Sequence, residues 1–432
     1  MVKEQRDIHL LAQPSGGVPD VIDTREGFDD FVDAFANASG AVAADAERAS
    51  GYRYSQRDWL VQLKREGAGI ALVDPVALSR QGVSWAAFNE AVGEAEWIIH
   101  DSLQDLPGFN ELGMKPYRLF DTERAARLLG QAHFGLAAVT ERYLGVTLAK
   151  EHSAADWSYR PLGRDMRNYA ALDVEVLIEL KKLMAADLKK AGKSEWAREE
   201  FGYLLDKGMQ PREPYPEPWR RISRITAIDH DLRGLAVARE LWTVRDRYAR
   251  EFDIAPNLLL PDAAIIDAAQ RKPHNSKEFM RIRSLNERVR MVKGDERDKM
   301  FERYAPIQRK VRSAIWKQAI ARALDLPEDQ LPQRKKGNPD SASNAPKSMK
   351  FWKVHHPERF ARLQNAKKLI TQVSEDTHTP SDILLKPKIL RNLCWRENVR
   401  LSAQEVYDFL ISQSARRWQA ELLSESLSSV II

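Results

Sequence analysis

The chain has 432 residues, of which 43% are hydrophobic and 30% charged, and carries a net charge of +5 at pH 7. This length predicts two or three domains, and the mean hydropathy of −0.49 is typical of a soluble globular protein. The apolar runs are only a few residues long, which excludes a membrane-spanning segment, and residues 1–7 lack the apolar stretch of a secretory signal. A single cysteine, Cys394, excludes an internal disulfide framework and a cysteine-based zinc site. Together these features predict a cytoplasmic protein.

The first 209 residues have the pattern of an α/β domain. Short apolar runs predict strands at 41–44, 59–63, 69–73 and 97–99. Amphipathic patterns predict helices at 28–36, 85–95, 122–129, 136–144 and 163–188. The polar segment 52–58 lies between two predicted strands and is interpreted as a hairpin connection. Because strands come early and helices late, the pattern predicts a mixed sheet flanked by helices in a domain at 1–209.

A proline-rich segment follows this domain. Four prolines fall within the nine residues 210–218, which predicts an extended linker at 210–228. Beyond it strand patterns almost disappear. Helical patterns predict helices at 232–251, 263–270 and 276–281. They predict a small all-α domain at 229–305, in which Asp262 is a candidate N-cap.

The last part of the chain predicts a second helical domain at 306–432. It combines a long basic helix at 306–324, a loop rich in Pro, Ser, Asn and Lys at 331–348, and a helical tail from 366 onward. Between residues 334 and 368 there are ten Lys or Arg and two acids. A polyanionic partner would explain this excess, and so would a solvated helix face beside a basic loop; charge alone leaves both open.

Hydrolysis of a phosphodiester with two metal ions needs several carboxylates that hold cations roughly 3.5–4 Å apart. An Asp-x-Glu pair on a strand supplies two of them, because residues i and i+2 project from the same face. The chain has three such pairs, at Asp45, Asp121 and Asp173. Asp45 and Glu47 follow the clearest strand-like run, whereas Asp121 sits where a helix begins and is interpreted as its N-cap.

A Tyr-x-x-x-Asp motif on a helix places a phenol beside a carboxylate, because residues i and i+4 are neighbours. Of three occurrences, only Tyr169 to Asp173 lies in a convincing helical pattern. Its phenol can hold the attacking water while the aspartate binds the metal that activates it. A fourth carboxylate is expected after another strand, where Asp101 and Asp105 follow the run 97–99. Each motif alone is more often structural than catalytic, and only their order and contexts favour a catalytic site.

In that order Asp45 and Glu47, Asp105, and Tyr169 and Asp173 resemble the three exonuclease motifs of the DEDDy branch of the DEDD superfamily, which has a ribonuclease-H-like fold. Neighbouring segments at 60–63, 120–122, 128–130, 135–139, 143–146 and 156–162 narrow the resemblance to the ribonuclease D family. The resemblance covers most of residues 20–190.

The sequence departs from the family pattern at two positions. Asp101 follows His100 where the family usually has a small residue, and it is interpreted as a helix N-cap or an extra charge near the metals. The register nevertheless supports Asp105 as the metal ligand. Arg48 stands where the family usually has Phe after the first motif, which is expected to alter how the terminal base is held.

The later helical segments resemble a module found in helicases and ribonuclease D. The unit at about 229–300 is similar to the HRDC domain, through the helix 232–251 and the turn 254–262. The C-terminal stretch, including 380–387 and 390–395, resembles a second, divergent HRDC-like domain, whereas 325–365 matches weakly and is left unassigned. Trp395 and Trp418 are predicted to be core residues rather than base-stacking platforms.

The resemblance implies a mechanism. Asp45 would bridge two metal ions, Glu47 and Asp173 would complete the site of the ion that activates water, and Asp105 would hold the second ion through water. Mg²⁺ or Mn²⁺ suits such hard oxygen ligands. Tyr169 would orient the attacking water. The expected activity is a 3′→5′ exoribonuclease that releases nucleoside 5′-monophosphates.

The resemblance also implies substrates and partners. His100, Lys150 and Arg160 are candidate substrate contacts, although burial or plain surface charge would equally explain them. The expected partner is RNA, at the 3′ ends of tRNA precursors and other stable RNAs, and a monomer is the simplest expectation. The alternatives are a 3′→5′ DNA exonuclease with the same site and a non-catalytic nucleic-acid-binding protein. The sequence contains no Walker-type phosphate-binding loop, so an ATPase of its own is not expected.

Overall fold

The computed structural model describes residues 8–148, 155–211, 214–282, 285, 295–334, 345–397 and 400–431, with side chains outside 295–301. Its strands are β1 (His9–Leu11), β2 (Val21–Ile22), β3 (Val42–Arg48), β4 (Asp58–Arg65), β5 (Gly69–Val73), β6 (Glu96–Ile99), β7 (Arg118–Asp121) and β8 (Val146–Leu148). Helices of the first domain are α1 (Arg25–Ala36), α2 (Pro75–Arg80), α3 (Ala86–Val92), α4 (Leu106–Leu112), α5 (Thr122–Leu128), α6 (Leu136–Leu144), α7 (Arg164–Glu175), α8 (Leu177–Lys190) and α9 (Ser194–Gly208).

Within the described residues, six strands form one mixed sheet in the order β2-β5-β4-β3-β6-β7. β4 runs antiparallel to β3 and β5, and the other neighbours pair in parallel. Buried apolar residues of β3, β4 and β6 line the centre, so the strand-like runs seen in the sequence form the core of this sheet. The predicted fold class, a mixed sheet flanked by helices and followed by all-α domains, is confirmed.

Two predicted local features met different outcomes. The polar segment 49–57 does connect the antiparallel pair β3 and β4, as the hairpin interpretation requires. The single helical pattern at 163–188 instead forms two helices, α7 and α8, which meet at Val176. Val176 keeps helical dihedral angles, so the amphipathic pattern continues across a change of direction that periodicity alone does not reveal.

A first helical domain follows the linker. It contains 3₁₀ helices at Pro218–Arg221, Ile225–Ile228 and Glu328–Gln330, and the helices α10 (Leu232–Glu251), α11 (Pro256–Leu259), α12 (Asp262–Arg271), α13 (Ser276–Arg281), α14 (Asp295–Lys310) and α15 (Ser313–Asp325). The predicted single basic helix at 306–324 is wrong, because α14 and α15 meet at 311–312. Trp219 of the linker and Trp316 of α15 are buried in the same apolar core as α10. The domain therefore extends beyond the predicted limits 229 and 305.

The second helical domain consists of α16 (Met349–His355), α17 (Pro357–Thr377), α18 (Ser381–Leu384), α19 (Pro387–Trp395), α20 (Ala403–Ser412) and α21 (Arg417–Val430). Its core is continuous with that of the α/β domain. Trp418 stacks on Trp196 of α9 with ring centroids 4.4 Å apart. Trp418 is buried and Trp395 packs against the core, as predicted. Throughout the described residues, each helix is too short or too polar to cross a lipid bilayer.

Candidate active site

The site begins on the central strand β3, which aligns Asp45 and Glu47 on one face of the sheet. Helix α7 crosses β3, β4 and β5 and brings Asp173 over the same face. Carboxylate oxygens of Asp45, Glu47 and Asp173 lie within 4.8 Å of one another. Two predicted motifs separated by more than a hundred residues therefore meet at one point.

The remaining predicted carboxylate reaches this point from the end of the neighbouring strand. β6 pairs with β3, and the turn that follows it leads to Asp105, the N-cap residue of α4. Asp105 is buried, and its carboxyl group lies close enough to that of Asp45 to affect its pKa. The four acids that the sequence singled out thus converge.

Burial and mutual repulsion disfavour ionisation of this cluster. Burial raises the pKa of Asp45 to about 6, against the lowering effect of the Ala46 backbone N–H and the Arg48 guanidinium. Burial, followed by the charges of Asp45, Asp173 and Asp105, raises the pKa of Glu47 to about 10. Burial likewise holds the pKa values of Asp105 and Asp173 well above their usual range. Protons or cations must therefore balance the cluster, and hard oxygen donors at this spacing fit divalent cations.

Arg48 contributes a positive charge beside the carboxylates. Its Nε lies 2.9 Å from Oδ1 of Asp58, its Nη2 lies 3.4 Å from Oδ1 of Asp105, and the same Nη2 donates to the carbonyl of Gln104. The Asp58 side chain is fully buried, and burial raises its pKa to about 7 in spite of Arg48. A Cβ at Gly108 would lie 2.1 Å from Oδ2 of Asp58. Through these contacts Arg48 connects the end of β3 with the start of β4 and with the N-terminus of α4.

Sequence reasoning noticed Arg48 only as a departure from the family pattern and assigned no role to Asp58. The pairing of a buried acid with this arginine has no local signature, because the two residues belong to different strands. The one available signal is that β4 begins with an acid at the start of an otherwise largely apolar run.

Tyr169 lies one turn before Asp173 on α7. Its ring packs against Trp157, with centroids 6.2 Å apart. Burial, and then the charges of Asp173, Glu47 and Asp45, raise the pKa of Tyr169 above its ordinary value. The phenol therefore keeps its proton at neutral pH, and it can orient a water molecule but cannot serve as its base.

The predicted substrate contacts have internal partners where the structure describes them. Nδ1 of His100 lies 2.8 Å from Oγ1 of Thr122, and burial lowers the pKa of His100. Arg160 pairs with Asp74 at 2.6 Å and donates to the carbonyls of Trp157, Tyr159 and Trp59. These contacts favour structural roles for both residues. Lys150 lies outside the described residues.

Three aspartates were interpreted as N-caps. Asp262 is not one, because it is the first residue of α12 and Pro261 is the N-cap. The other two differ. Asp121 caps α5, because its Oδ1 accepts from the backbone N–H of Arg124 at 2.8 Å, which confirms that prediction. Asp101 does not cap α4, because that helix starts at Leu106. Asp101 instead occupies the turn after β6 with a φ of 58°, in the left-handed region.

Sequence models of three protein families match the chain. The model of the 3′-5′ exonuclease matches 19–189, that of the HRDC domain matches 234–296, and that of the 3′ to 5′ exonuclease C-terminal domain matches 345–431. The fold and the site therefore define a 3′→5′ exonuclease catalytic domain that is followed by two helical domains.

Comparison with individual proteins is more specific than comparison with the family models. Ribonuclease D of Shewanella sp. (strain ANA-3) is 29% identical over 54% of this chain, and the match spans 59% of that relative, less than two thirds of its length. Ribonuclease D of Escherichia coli (strain K12) is 27% identical over 90% of this chain and 92% of its own. These relatives of 27–29% identity carry the name of the family that the motifs resemble.

Solved structures agree in fold. The crystal structure of a protein from Bifidobacterium adolescentis is 57% identical to this chain, covers 98% of it and 99% of its own chain, and has a TM-score of 0.92. The crystal structure of Escherichia coli ribonuclease D is 23% identical, covers 95% of this chain and 98% of its own, and has a TM-score of 0.61. At that identity, the second likeness supports the fold alone.

Proposed function

We propose that the protein is a metal-dependent 3′→5′ exoribonuclease that holds two divalent cations, Mg²⁺ or Mn²⁺, with Asp45, Glu47, Asp105 and Asp173. The observation that carries this proposal is the convergence of these four acids from two strands or strand ends and one helix. Bound cations would supply Lewis acidity and a water of lowered pKa. Burial of the carboxylates favours cation binding, because the single guanidinium of Arg48 cannot balance the charge of four ionised acids.

The residues of the chain itself orient the reaction. Tyr169 keeps its proton and so donates a hydrogen bond, which leaves an oxygen lone pair to position the attacking water. The Trp157 ring packs against the phenol and supports its orientation. The product is a nucleoside 5′-monophosphate, released one at a time from a 3′ end. Asp45 belongs to the cluster with Glu47 and Asp173 and also interacts with Asp105, which supports a role as a ligand that both cations would share.

RNA is the proposed polymer, and the second helical domain offers a surface for it. Phe351 is 40% exposed on α16, between Lys350 and Lys353. The Arg359 guanidinium lies 4.6 Å from the Trp395 ring centroid. An exposed ring such as that of Phe351 among cations suits unpaired bases and phosphates, which favours a polyanionic partner over a merely solvated face. The Escherichia coli relative is an exoribonuclease involved in structured RNA processing, and we extend this to 3′ trimming of tRNA precursors and other stable RNAs. The monomeric state and the cytoplasmic location stay predictions.

A time course on 3′-tailed tRNA with Mg²⁺, Mn²⁺ or EDTA tests the activity. We expect shortening from the 3′ end with either metal and none with EDTA. Matched RNA and DNA oligonucleotides distinguish the two polymer classes, and faster digestion of DNA would favour the DNA exonuclease alternative.

The site assignment is tested separately by Asp173→Asn. We expect loss of nuclease activity with RNA affinity retained, because the variant removes a cation ligand but keeps the shape of the side chain. A variant that degrades RNA at the normal rate would show that the proposed cage is not the active site.

A further inference from the structure

A hydrogen-bond network joins the catalytic domain to the first helical domain beside the site. Its centre is Asp156, whose Oδ2 accepts from the Tyr304 hydroxyl and from Nη1 of Arg303, each at 2.7 Å. Oδ1 of Asp156 accepts from the Ser158 hydroxyl, and that hydroxyl accepts from Nε of Arg53 at 2.7 Å. Tyr304 and Arg303 belong to α14, whereas the other three residues belong to the catalytic domain.

The network ends in the catalytic domain at Asp156 and Arg53, and both residues are close in sequence to residues that contact or form the site. Trp157, which follows Asp156, is fully buried and carries the ring that packs against Tyr169. Arg53 lies in the segment 49–57, which begins directly after Arg48 and the carboxylates of β3. Trp157 and Ala49 also share one small apolar cluster with residues of α7. A displacement of Asp156 would therefore also move Trp157, which packs against the phenol of Tyr169.

The segment 49–57 makes further contacts with the same helical domain. The Tyr54 hydroxyl donates to Asp246 at 2.9 Å. The backbone N–H of Ser55 donates to Asp253 at 2.8 Å, and the backbone N–H of Ala255 donates to the carbonyl of Tyr52 at 2.9 Å. Two backbone groups of the catalytic domain therefore have their hydrogen-bond partners in another domain. Losing such a hydrogen bond is costly when the groups are shielded from water.

The Asp156 carboxylate at the centre of the network is ionised at neutral pH. Burial would raise the pKa of Asp156, but the hydrogen bonds from Ser158, Tyr304 and Arg303 outweigh it and lower that pKa below its ordinary value. An ionised carboxylate with donors on both oxygens is held in a fixed position, because charge-assisted hydrogen bonds are short and directional.

We propose that the first helical domain positions the catalytic residues in addition to any contact with RNA: Tyr304 and Arg303 act through Asp156 and Trp157 on Tyr169. These are positioning residues, since none of them touches the reacting atoms. The inference rests on the proposed role of Tyr169. It requires that the helical domain promotes turnover even of a substrate too short to reach it.

The test uses Tyr304→Phe in the full chain and a ribodinucleotide as substrate. The variant removes one hydroxyl and keeps the ring. We expect kcat to fall roughly fivefold to tenfold with KM nearly unchanged, because small misplacements of a reacting group cost rate rather than binding. The matched control is Tyr143→Phe, which removes a Tyr–Asp hydrogen bond of 3.0 Å to Asp187 outside the network and should leave kcat unchanged. Arg303→Gln is a second variant, to be read if Tyr304→Phe does not fold.

The double variant with Tyr169→Phe separates this proposal from the proposed site. If Tyr304 acts through Tyr169, adding Tyr304→Phe to Tyr169→Phe should reduce kcat no further. Independent, multiplying losses would overturn the coupling, as would a change confined to KM or an unchanged kcat in Tyr304→Phe. An unaltered rate in Tyr169→Phe alone would instead refute the catalytic assignment of the phenol.

Discussion

The metal-free protein should lose stability as pH rises, and replacing Asp45 should prevent part of this loss. Burial raises the pKa of Asp45 from 3.8 to about 6 in the folded state. The unfolded chain therefore releases this proton first, and stability that is fully present below pH 4 is lost as pH rises to 6. Two pKa units correspond to about 3 kcal/mol. Burial and the neighbouring acids shift Glu47 in the same direction, to about 10, so the loss continues to higher pH.

Calorimetry at pH 5 and pH 8, with EDTA or with Mg²⁺, measures this effect. At pH 5 about half of the Asp45 contribution is already lost, because the unfolded aspartate is ionised there, so about 1.5 kcal/mol is lost between pH 5 and pH 8. At about 2–4 °C per kcal/mol for a domain of this size, this predicts a fall in Tm of roughly 3–6 °C in EDTA between the two pH values. Mg²⁺ at a hundredfold excess over its Kd should restore about 3 kcal/mol at pH 8 and much less at pH 5.

The variant Asp45→Asn provides the matched comparison. It cannot ionise, so at pH 8 in EDTA it should be more stable than the native protein, and it should gain little from Mg²⁺. If the native protein is equally stable in EDTA at both pH values, or if the variant is less stable at pH 8, then the cost of ionising the buried Asp45 is not what the cations relieve.

Three further variants test the surroundings of the site and the RNA surface. Arg48→Ala should lower the free energy of unfolding by about 3 kcal/mol in a urea titration, because it leaves the buried Asp58 without its cation; Arg48→Lys should recover part of this, and equal stability of all three proteins would contradict the pairing. Gly108→Ala should cost more than about 2 kcal/mol in the same titration, since its Cβ would lie 2.1 Å from Asp58 and α4 would have to move. Phe351→Ala should weaken binding of single-stranded RNA about tenfold in a filter-binding assay. The equally exposed Ile411 is the control, and a similar loss in Ile411→Ala would argue against a stacking surface.

The sequence predicted those parts of the site that depend on local spacing. A strand places Asp45 and Glu47 on one face, and a helix places Tyr169 beside Asp173, so pattern and chemistry agree over a few residues. Family register then identified Asp105 rather than Asp101. Local pattern could not show that Asp101 adopts a left-handed turn, because that conformation depends on how the end of β6 meets α4.

Features that depend on contacts between distant segments were not predictable in this way. Arg48 and Asp58 are ten positions apart on different strands. They become register partners across a shift in register between Glu47 and Arg48, which the sequence does not reveal. The limit of the first helical domain was misplaced for a similar reason. Trp316 has the pattern of any amphipathic helix, and only packing shows which core it joins.

The two helical domains dock on the catalytic domain in different ways, and this determines how truncations should be interpreted. The second domain covers α9, where Glu200 is fully buried and receives hydrogen bonds from Arg124 and Arg416. Its removal would leave Glu200 without Arg416 and would expose the Trp196 ring, which predicts a loss of stability before any loss of RNA binding.

The first helical domain instead contacts the segments 49–57 and 155–160 of the catalytic domain, which flank the carboxylates. Deleting the chain from residue 216 would therefore change stability, positioning and RNA affinity together. Weaker binding by such a truncation cannot by itself assign RNA binding to the helical domains. Point variants that separate these effects are needed: Phe351→Ala for RNA, Tyr304→Phe for positioning, and Arg416→Ala for docking, of which only the last should lower the Tm substantially.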